Sequence, residues 1–358
     1  MTRFLHDILR QPDELQRTLE FLSGPGRPQL EDAAEVLRRA NHVYLTGIGS
    51  SWHAALCAGP LFSEGSRPVH LPDAAELLHF ANLPRGAVVI AISRTGKSVE
   101  IVRLLAKARE SEAFVIGVTN AEDGPLAREA QIPIVVPVTF DHGISVNTYC
   151  TLAAAAGALA SATLGCFDKV LIQALTCAVR ELAEPMESWE EQMFENPWLL
   201  PGATYYFLGR GSSLGSCHEA RLLWEEGAKS PATAMGTGAF RHGPQEIVGE
   251  GLRVGMWVDG RRMREEDLAV ARDLVRLGAS VMLIGRGLPE DAGHLVLQLP
   301  RLPPEWQFLI DAIPVQLAAE RLSRLSGVDC DSFRLCSYIV ETDGGLLHER
   351  MEAPKTMT

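Results

Sequence analysis

Disulfide frameworks, excess positive charge and membrane-length apolar runs are all missing from this sequence of 358 residues. The seven cysteines are odd in number and form no Cys-x-x-Cys pair, which indicates reduced thiols. A net charge of −12 argues against binding to nucleic acid or to an anionic membrane surface. The longest apolar run, around residues 152–164, is too short to span a bilayer, and the charged start offers no signal peptide. We therefore expect a cytoplasmic protein that binds neither nucleic acid nor membrane.

Short β-branched runs alternate with stretches of helical spacing along most of the chain. Val43–Thr46, Val88–Ser93 and Ala113–Thr119 are typical of buried strands. Strands that alternate with helices form a parallel sheet with right-handed crossovers. We predict an α/β protein built from doubly wound, flavodoxin-like parallel sheets.

This pattern occurs twice. A strand ending in Gly47-Ile48-Gly49-Ser50-Ser51 returns as one ending in Gly209-Arg210-Gly211-Ser212-Ser213, beyond a Pro- and Gly-containing stretch at 196–202. The repeat predicts two tandem domains with helical N-terminal and linking segments. The predicted boundaries are a helical segment at 1–30, a first domain at 31–166, a helical linker at 167–197, a second domain at 198–335 and a tail at 336–358.

Periodicity alone predicts several less distinct elements. Apolar spacing favours one long helix over Lys169–Met193 and another over Trp306–Leu325. A short β-branched run favours a strand at Val69–Leu71, and the polar and Gly-Pro content of Phe240–Pro244 favours a loop.

The loop that follows Val88–Ser93 is rich in hydroxyl groups. It reads Ser93-Arg94-Thr95-Gly96-Lys97-Ser98 and leads into a helix. The first N–H groups of a helix lack partners and its dipole favours negative charge, so this loop is a candidate phosphate site. The alternative is an ordinary turn in which Ser98 caps the helix. The second copy has Asp259-Gly260-Arg261-Arg262 at the equivalent point, so we predict one anion site rather than two.

The Gly-x-Gly turns do not complete a dinucleotide fingerprint. That fingerprint requires a third glycine where this chain has Trp52 and Leu214. The small hydroxyl residues after each turn instead favour a ligand at the carboxyl ends of the strands. No group of His, Cys, Asp and Glu has metal-ligand spacing, so we predict neither a metal nor a cofactor. His53, which follows the first turn, is expected to be a packed histidine bonded to the main chain.

The repeated turn, the Ser93–Ser98 loop and Phe240-Arg241-His242-Gly243-Pro244 together resemble the sugar isomerase (SIS) family. The pattern is most similar to the isomerase half of glutamine–fructose-6-phosphate amidotransferase and to stand-alone isomerases, deaminases and deglycases, from Leu5 to about Arg334. The resemblance implies two SIS domains, a hexose or amino-hexose phosphate as ligand, and a homodimer with a shared active site. Because the glutaminase half is outside the resemblance, we expect no use of glutamine.

The resemblance also implies the roles of individual residues. It implies Glu226 as the catalytic carboxylate and His242 as the ring-opening histidine, contributed by the other subunit. A carboxylate near C1 and C2 can carry a proton between them, and a histidine can protonate the ring oxygen near neutral pH. Without the family, Glu225-Glu226 would be interpreted as a solvated helix face and His242 as a turn residue. The implied phosphate and substrate contacts are Gly49, Ser50, Ser51, Ser93, Arg94, Thr95, Ser98, Val146, Asn147, Arg334 and Tyr338.

Two positions depart from the synthase branch of that family. Its lysine three residues before the carboxylate is Leu223 here, and Tyr338 falls where its tail lysine would be. A tyrosine hydroxyl donates a hydrogen bond but carries no charge, which Arg334 could supply. We therefore predict an aldose–ketose isomerase or deaminase acting on an amino-sugar phosphate. The alternatives are a fructosamine-6-phosphate deglycase and a regulatory protein that binds a sugar phosphate without catalysis.

Overall fold

The computed structural model describes residues 1–342 and 344–346. In this part of the chain, helices and strands alternate as the periodicity predicts. The helices are α1 (Arg3–Leu9), α2 (Gln11–Ser23), α3 (Arg27–Arg39), α4 (Ser50–Glu64), α5 (Ala74–Phe80), α6 (Val99–Glu110), α7 (Pro125–Glu129), α8 (Asn147–Thr163), α9 (Lys169–Arg180), α10 (Ala183–Phe194), α11 (Ser213–Glu226), α12 (Thr237–Phe240), α13 (Arg264–Arg276) and α14 (Ile313–Leu325). The strands are β1 (Val43–Thr46), β2 (Val88–Ser93), β3 (Phe114–Thr119), β4 (Ile132–Val135), β5 (Thr204–Gly209), β6 (Ala232–Gly236), β7 (Leu252–Trp257), β8 (Ser280–Gly285) and β9 (Leu295–Gln298). Short 3₁₀ turns lie at Pro244–Ile247 and Pro304–Leu309.

The strands form two parallel sheets, in the orders β1-β2-β3-β4 and β6-β5-β7-β8-β9. In the first sheet, Val88 of β2 pairs with Val43 of β1 and with Phe114 of β3. Every residue of β2 is buried, because alternate side chains pack into apolar clusters on its two faces. A strand covered on both faces has a continuous apolar sequence, as this one does. The prediction of an α/β protein with parallel sheets is confirmed.

The main apolar cluster includes residues of both sheets, such as Ile90 of β2 and Phe207 of β5. Helices α4 and α11, which follow the two Gly-x-Gly turns, cross within it. Gly215 of α11 permits the crossing, because a Cβ there would collide with the Cys57 thiol and the His53 carbonyl of α4. The crossing brings the carboxyl end of the first sheet close to α11. The extents of the predicted domains and the repeat itself stay predictions.

The strand predicted at Val69–Leu71 is wrong. Only one bridge forms there, between His70 and Tyr44 of β1. Pro68 and Pro72 stand on either side of the bridge, and since proline has no N–H group, the ladder cannot extend past them.

The single helix predicted over Lys169–Met193 is also wrong. The structure has α9 and α10, separated at residues 181–182. Pro185 lies in the first turn of α10, where a missing N–H group is tolerated, and inside one long helix its ring would clash with the carbonyl four residues earlier. The predicted helix over Trp306–Leu325 is interrupted in the same way, because Pro314 is in the first turn of α14.

The loop predicted at Phe240–Pro244 begins inside a helix. Phe240 ends the one-turn helix α12, and its ring is buried against Tyr206 at 6.0 Å. This packing holds a turn of helix that the local sequence does not predict. Among residues 1–342 and 344–346, no helix combines the length and the apolar character needed to cross a membrane.

Candidate active site

A cavity of about 230 Å³ opens at the carboxyl ends of β1 and β2. The Gly49 turn and the Ser93–Ser98 loop form one side of it, and the end of α11 forms the opposite side. Residues 333–340, which we call the C-terminal wall, close it. The lining residues are Ile48, Gly49, Ser50, Ser51, Ser93, Arg94, Thr95, Ser98, Glu100, Gly143, Ser145, Leu222, Glu226, Phe333, Cys336, Ser337, Tyr338, Ile339 and Val340.

The Ser93–Ser98 loop has a well-defined internal structure. The Ser93 hydroxyl accepts a hydrogen bond from the Gly96 N–H at 3.0 Å, and Gly96 has a φ of +67°, which favours glycine. Ser98 occupies the N-cap position of α6, but its side chain makes no capping hydrogen bond. The interpretation of Ser98 as an ordinary side-chain cap is therefore wrong. Ser93, Thr95 and Ser98 line the cavity, and hydroxyl side chains at a helix N-terminus are suited to an anion.

The Gly49 turn places two serines at the cavity. Gly49 has a φ of +58°, a conformation that glycine adopts without strain. Ser51 lies in the first turn of α4 and lines the cavity. The Ser50 hydroxyl donates a hydrogen bond to a carboxylate oxygen of Glu219 on α11, at 3.0 Å. This bond links the turn to the opposite side of the cavity.

Arg94 lines the cavity, but its guanidinium group binds the protein. It donates hydrogen bonds to Ser145 Oγ at 3.0 Å and to the Tyr338 carbonyl at 2.6 Å. The guanidinium carbon also lies 3.9 Å from the centre of the Tyr338 ring. The Tyr338 hydroxyl in turn donates to the Asp141 carbonyl at 3.2 Å. Arg94 therefore connects the Ser93–Ser98 loop to the C-terminal wall.

Glu226 is the last residue of α11 and is half-buried in the cavity wall. Burial raises the pKa of this carboxyl to about 7, and the nearby Glu219 carboxyl adds to the rise. The positive charges of Arg94 and Lys229 oppose it. Glu225, by contrast, is exposed and pairs with Arg221 at 2.7 Å. Two adjacent carboxyl groups thus have different environments, and only Glu226 lines the cavity.

The sequence analysis missed a buried pair behind the cavity. His53 Nδ1 lies 2.7 Å from a carboxylate oxygen of Glu219, and both side chains are almost completely inaccessible to solvent. His53 is therefore packed, as expected, but its partner is a carboxyl group and not the main chain. Burial raises the pKa of Glu219 to about 8 and lowers that of His53 to about 3. The seven-residue spacing places Glu219 on the same face of α11 as Glu226, but no local signal in the sequence indicates its pairing with His53.

We expect Glu219→Gln to change how the stability of the protein depends on pH. The folded chain holds the Glu219 proton up to about pH 8, whereas an unfolded chain releases it near 4.5. The free energy of unfolding of the wild type therefore falls as pH rises through this window. The amide of the variant imitates the protonated carboxyl group and does not titrate. The melting temperature of the variant should rise relative to that of the wild type between about pH 5 and pH 8. If the two melting temperatures change in parallel with pH, the raised pKa is contradicted.

Four of the sequence-predicted residues are absent from the cavity. The Val146 and Asn147 side chains are completely buried, and the Asn147 amide binds the Asp7 carbonyl at 2.9 Å and Asp141 at 2.8 Å. Arg334 is exposed and lines a neighbouring groove. His242 is exposed after α12 and does not line this cavity. The prediction of Val146 and Asn147 as ligand contacts is not supported, because both side chains are buried inside the protein, where the Asn147 amide binds Asp7 and Asp141.

The second half of the chain fills the equivalent positions with its own carboxyl groups. Ser213, the counterpart of Ser51, donates to the buried Asp311 at 2.7 Å, and Ser216 donates to it as well. Asp259 accepts hydrogen bonds from the Arg262 and Met263 N–H groups at 2.7 and 2.8 Å. The Ser213 hydroxyl and the Arg262 and Met263 N–H groups thus bind carboxyl groups of the second half itself.

Three residues with metal-binding side chains meet away from the cavity. His6, Asp7 and His142 each offer a ligand atom within 4.8 Å of the others, although spacing along the chain predicts no such group. Asp7 Oδ1 accepts from the Arg10 guanidinium at 2.7 Å, and Asp7 Oδ2 accepts from the His142 N–H at 2.8 Å. A carboxylate with an arginine beside it binds a cation poorly. The cluster joins α1 to the loop at 141–146.

Comparison with protein families matches residues 36–162 to the SIS domain. The matched range includes the whole first sheet and the Ser93–Ser98 loop. It does not include the second sheet, so a second SIS domain at 198–335 stays a prediction.

Curated relatives match nearly the whole chain at low identity. The chain is 23% identical over 359 residues to isomerizing glutamine–fructose-6-phosphate aminotransferase 1 of Arabidopsis thaliana, covering 94% of this chain and 53% of that protein. It is 24% identical over 340 residues to the isomerizing aminotransferase of Pyrococcus horikoshii, covering 91% and 56%. The chain thus spans about half the length of the curated relatives it matches.

Three solved structures share the fold. The C-terminal domain of glucosamine-fructose-6-phosphate aminotransferase from Francisella tularensis matches with a TM-score of 0.82 and 18% identity, over 93% of this chain and 98% of that one. Tagatose-6-phosphate ketose/aldose isomerase from Escherichia coli matches at 0.80 and 22%, over 92% and 94%. Glucosamine-6-phosphate deaminase from Thermotoga maritima matches at 0.78 and 21%, over 95% and 99%. Residues 36–162 of the chain are therefore similar to the SIS domain, and the chain as a whole has the fold of these three proteins.

Proposed function

We propose that this protein is a sugar-phosphate isomerase or deaminase that acts on an amino-hexose phosphate. The observation that carries the proposal is one cavity with two unlike sides. A hydroxyl-rich loop at the N-terminus of α6 forms one side, and the half-buried carboxyl group of Glu226 forms the other. An anion site that holds the phosphate would present the far end of the sugar to this carboxyl group.

The chemistry requires little more than this arrangement. In its ionised form, Glu226 would take the proton from C2 of an open-chain aldose and return it to C1, while O1 gains a proton and the hydroxyl or amino group on C2 loses one. The product has a carbonyl group at C2 or, from an amino sugar, a C2 imine that water hydrolyses to the ketose and ammonia. A pKa of about 7 suits a group that must both accept and release a proton near neutral pH. The positive charge of Arg94, which lies in the Ser93–Ser98 loop and also lines the cavity, would favour an enediolate intermediate.

The relatives support the substrate class. The curated matches are isomerizing glutamine–fructose-6-phosphate aminotransferases, and the solved matches include a ketose/aldose isomerase and a deaminase of sugar phosphates. The absence of lysine at Leu223 and Tyr338 favours isomerisation or deamination over amino transfer from glutamine. A fructosamine-6-phosphate deglycase remains the alternative within this class.

The function is tested by incubating the protein with glucosamine 6-phosphate, fructose 6-phosphate, tagatose 6-phosphate and fructosamine 6-phosphate. Proton NMR in deuterated water would follow exchange at C1 and C2, and an enzymatic assay would follow ammonia. We expect exchange and ketose formation with at least one ester. Thermal stabilisation by a sugar phosphate without exchange, ammonia or product would instead favour the non-catalytic binding protein.

We also propose a homodimer in which His242 of one subunit completes the cavity of the other, since His242 lies outside the cavity of its own chain. Glu226→Gln and His242→Ala should each be inactive alone. After unfolding and refolding together, half of the dimers would be mixed, and one cavity in each would be intact, so about one quarter of wild-type activity should return. Refolding each variant alone is the control, and no recovery in the mixture would contradict the shared site.

A further inference from the structure

Lys229 occupies an unusual position just beyond α11. Its φ is +51°, in the left-handed region, which disfavours any residue that has a side chain. The Ser230 N–H donates to the Trp224 carbonyl at 3.0 Å and closes the end of the helix around it. Glycine is the residue that adopts this conformation most readily. A lysine in a disfavoured conformation motivates the hypothesis that its side chain has a use.

The ammonium group of Lys229 joins two parts of the chain. It donates to the main-chain carbonyl of Glu226, and at 2.9 Å to the carbonyl of Ser332. It also faces the Phe333 ring at 6.0 Å from the ring centre. The end of α11 and the start of the C-terminal wall are therefore held by one group, three residues beyond the carboxyl group that lines the cavity.

The C-terminal wall continues from this point across the cavity. Cys336 to Val340 line it, and the Val340 carbonyl accepts a hydrogen bond from the Val99 N–H at 3.0 Å, in the first turn of α6. The other end is fixed by Asp331, which accepts from the Arg3 and Phe4 N–H groups at 2.9 and 2.8 Å. The wall therefore spans from α11 to the Ser93–Ser98 loop, and Lys229 is one of its anchors at the α11 end.

We propose that Lys229 is a positioning residue of the cavity, whose ammonium group holds the C-terminal wall against the end of α11 beside Glu226. This anchor adds to those that Asp331, Arg94 and the Val99 N–H provide, and without it the wall is held less firmly at the end of α11. The consequence for substrate binding rests on the proposed function, but the anchoring itself does not. The group acts through the wall and is not a catalytic residue.

The variant Lys229→Gly tests this without risk to the helix end, because glycine is the residue that the left-handed conformation favours. Trypsin cleavage after the exposed Arg334 reports on the wall, and calorimetry with glucose 6-phosphate reports on the cavity. We expect an unchanged or higher melting temperature, cleavage about tenfold faster, and glucose 6-phosphate binding about fivefold weaker, in the range for one partly exposed charged hydrogen-bonding group.

Two further variants complete the experiment. Lys229→Arg keeps a cation and should restore most of the protection at Arg334. Lys169→Met removes an exposed lysine from the first turn of α9 and should behave as the wild type. If cleavage after Arg334 is as slow in Lys229→Gly as in the wild type, the proposal is overturned. If the wild type binds no sugar phosphate while the cleavage rates differ as expected, the proposed function fails and the anchor stands.

Discussion

Glu226→Gln is expected to lower the turnover number of the proposed isomerase by about 10³-fold or more, the size of a general acid–base contribution. The amide has the shape of the carboxyl group but cannot accept the proton from C2. The dissociation constant for a hexose 6-phosphate should change by less than about threefold, because the proposed phosphate site, the Ser93–Ser98 loop, does not include Glu226. Steady-state kinetics and calorimetry on one preparation would measure both.

Glu225→Gln is the matched control. It makes the same chemical change one residue earlier, at an exposed side chain whose partner is Arg221, and it should leave turnover within about twofold of wild type. The wild-type turnover number should also rise with pH through about 7, since the base acts in its ionised form. Full activity of Glu226→Gln, or equal losses in both variants, would show that another group is the base.

Gly215→Ala is expected to destabilise the protein by about 3 kcal/mol or more, at the upper end of the range for overpacking. The direction of the change is informative, because alanine in a helix interior normally stabilises a protein by up to about 1 kcal/mol relative to glycine. Here the new methyl group would collide with the Cys57 thiol and the His53 carbonyl, and would lie 2.9 Å from the Cys57 nitrogen. Since two of these contacts are main chain, α4 and α11 would have to move apart. Urea unfolding would measure the loss.

The same substitution should also impair the cavity, because α4 carries Ser51 and α11 carries Glu226. Gly249→Ala is the control, since a Cβ at Gly249 meets no atom within 4 Å, and its stability should stay within about 0.5 kcal/mol of wild type. A Gly215→Ala protein as stable as wild type would mean that the two helices are not in close contact.

Much of the fold was predictable because its signals are local. The bounds of β1 and β2 follow from β-branched runs in the sequence itself. The errors came from prolines within apolar stretches, such as Pro185 and Pro314, where the spacing of apolar residues continues but the main-chain hydrogen bonds do not. Periodicity describes which face is apolar and does not register a missing N–H group.

The candidate site was predictable in part for a similar reason. The hydroxyl loop lies in one continuous stretch, and Glu226 was reached through a resemblance to relatives rather than through any physical property of its neighbours. The use of Arg94 as a link to Tyr338, 244 residues later, had no local signal. The pairing of His53 with Glu219 had none either, because it depends on how closely α4 and α11 approach.

Three features can be read from the sequence alone: the alternation of strands and helices, a loop suited to an anion, and a second copy of the turn without that loop. The environment of each charged side chain depends on the tertiary structure. Glu225 and Glu226 are adjacent and chemically identical, yet one is solvated and paired while burial raises the pKa of the other to about 7. The free energy of a charge depends on the solvent and the charges around it. For Glu226, Arg94 and the C-terminal wall supply part of these surroundings, and both are distant from α11 in sequence.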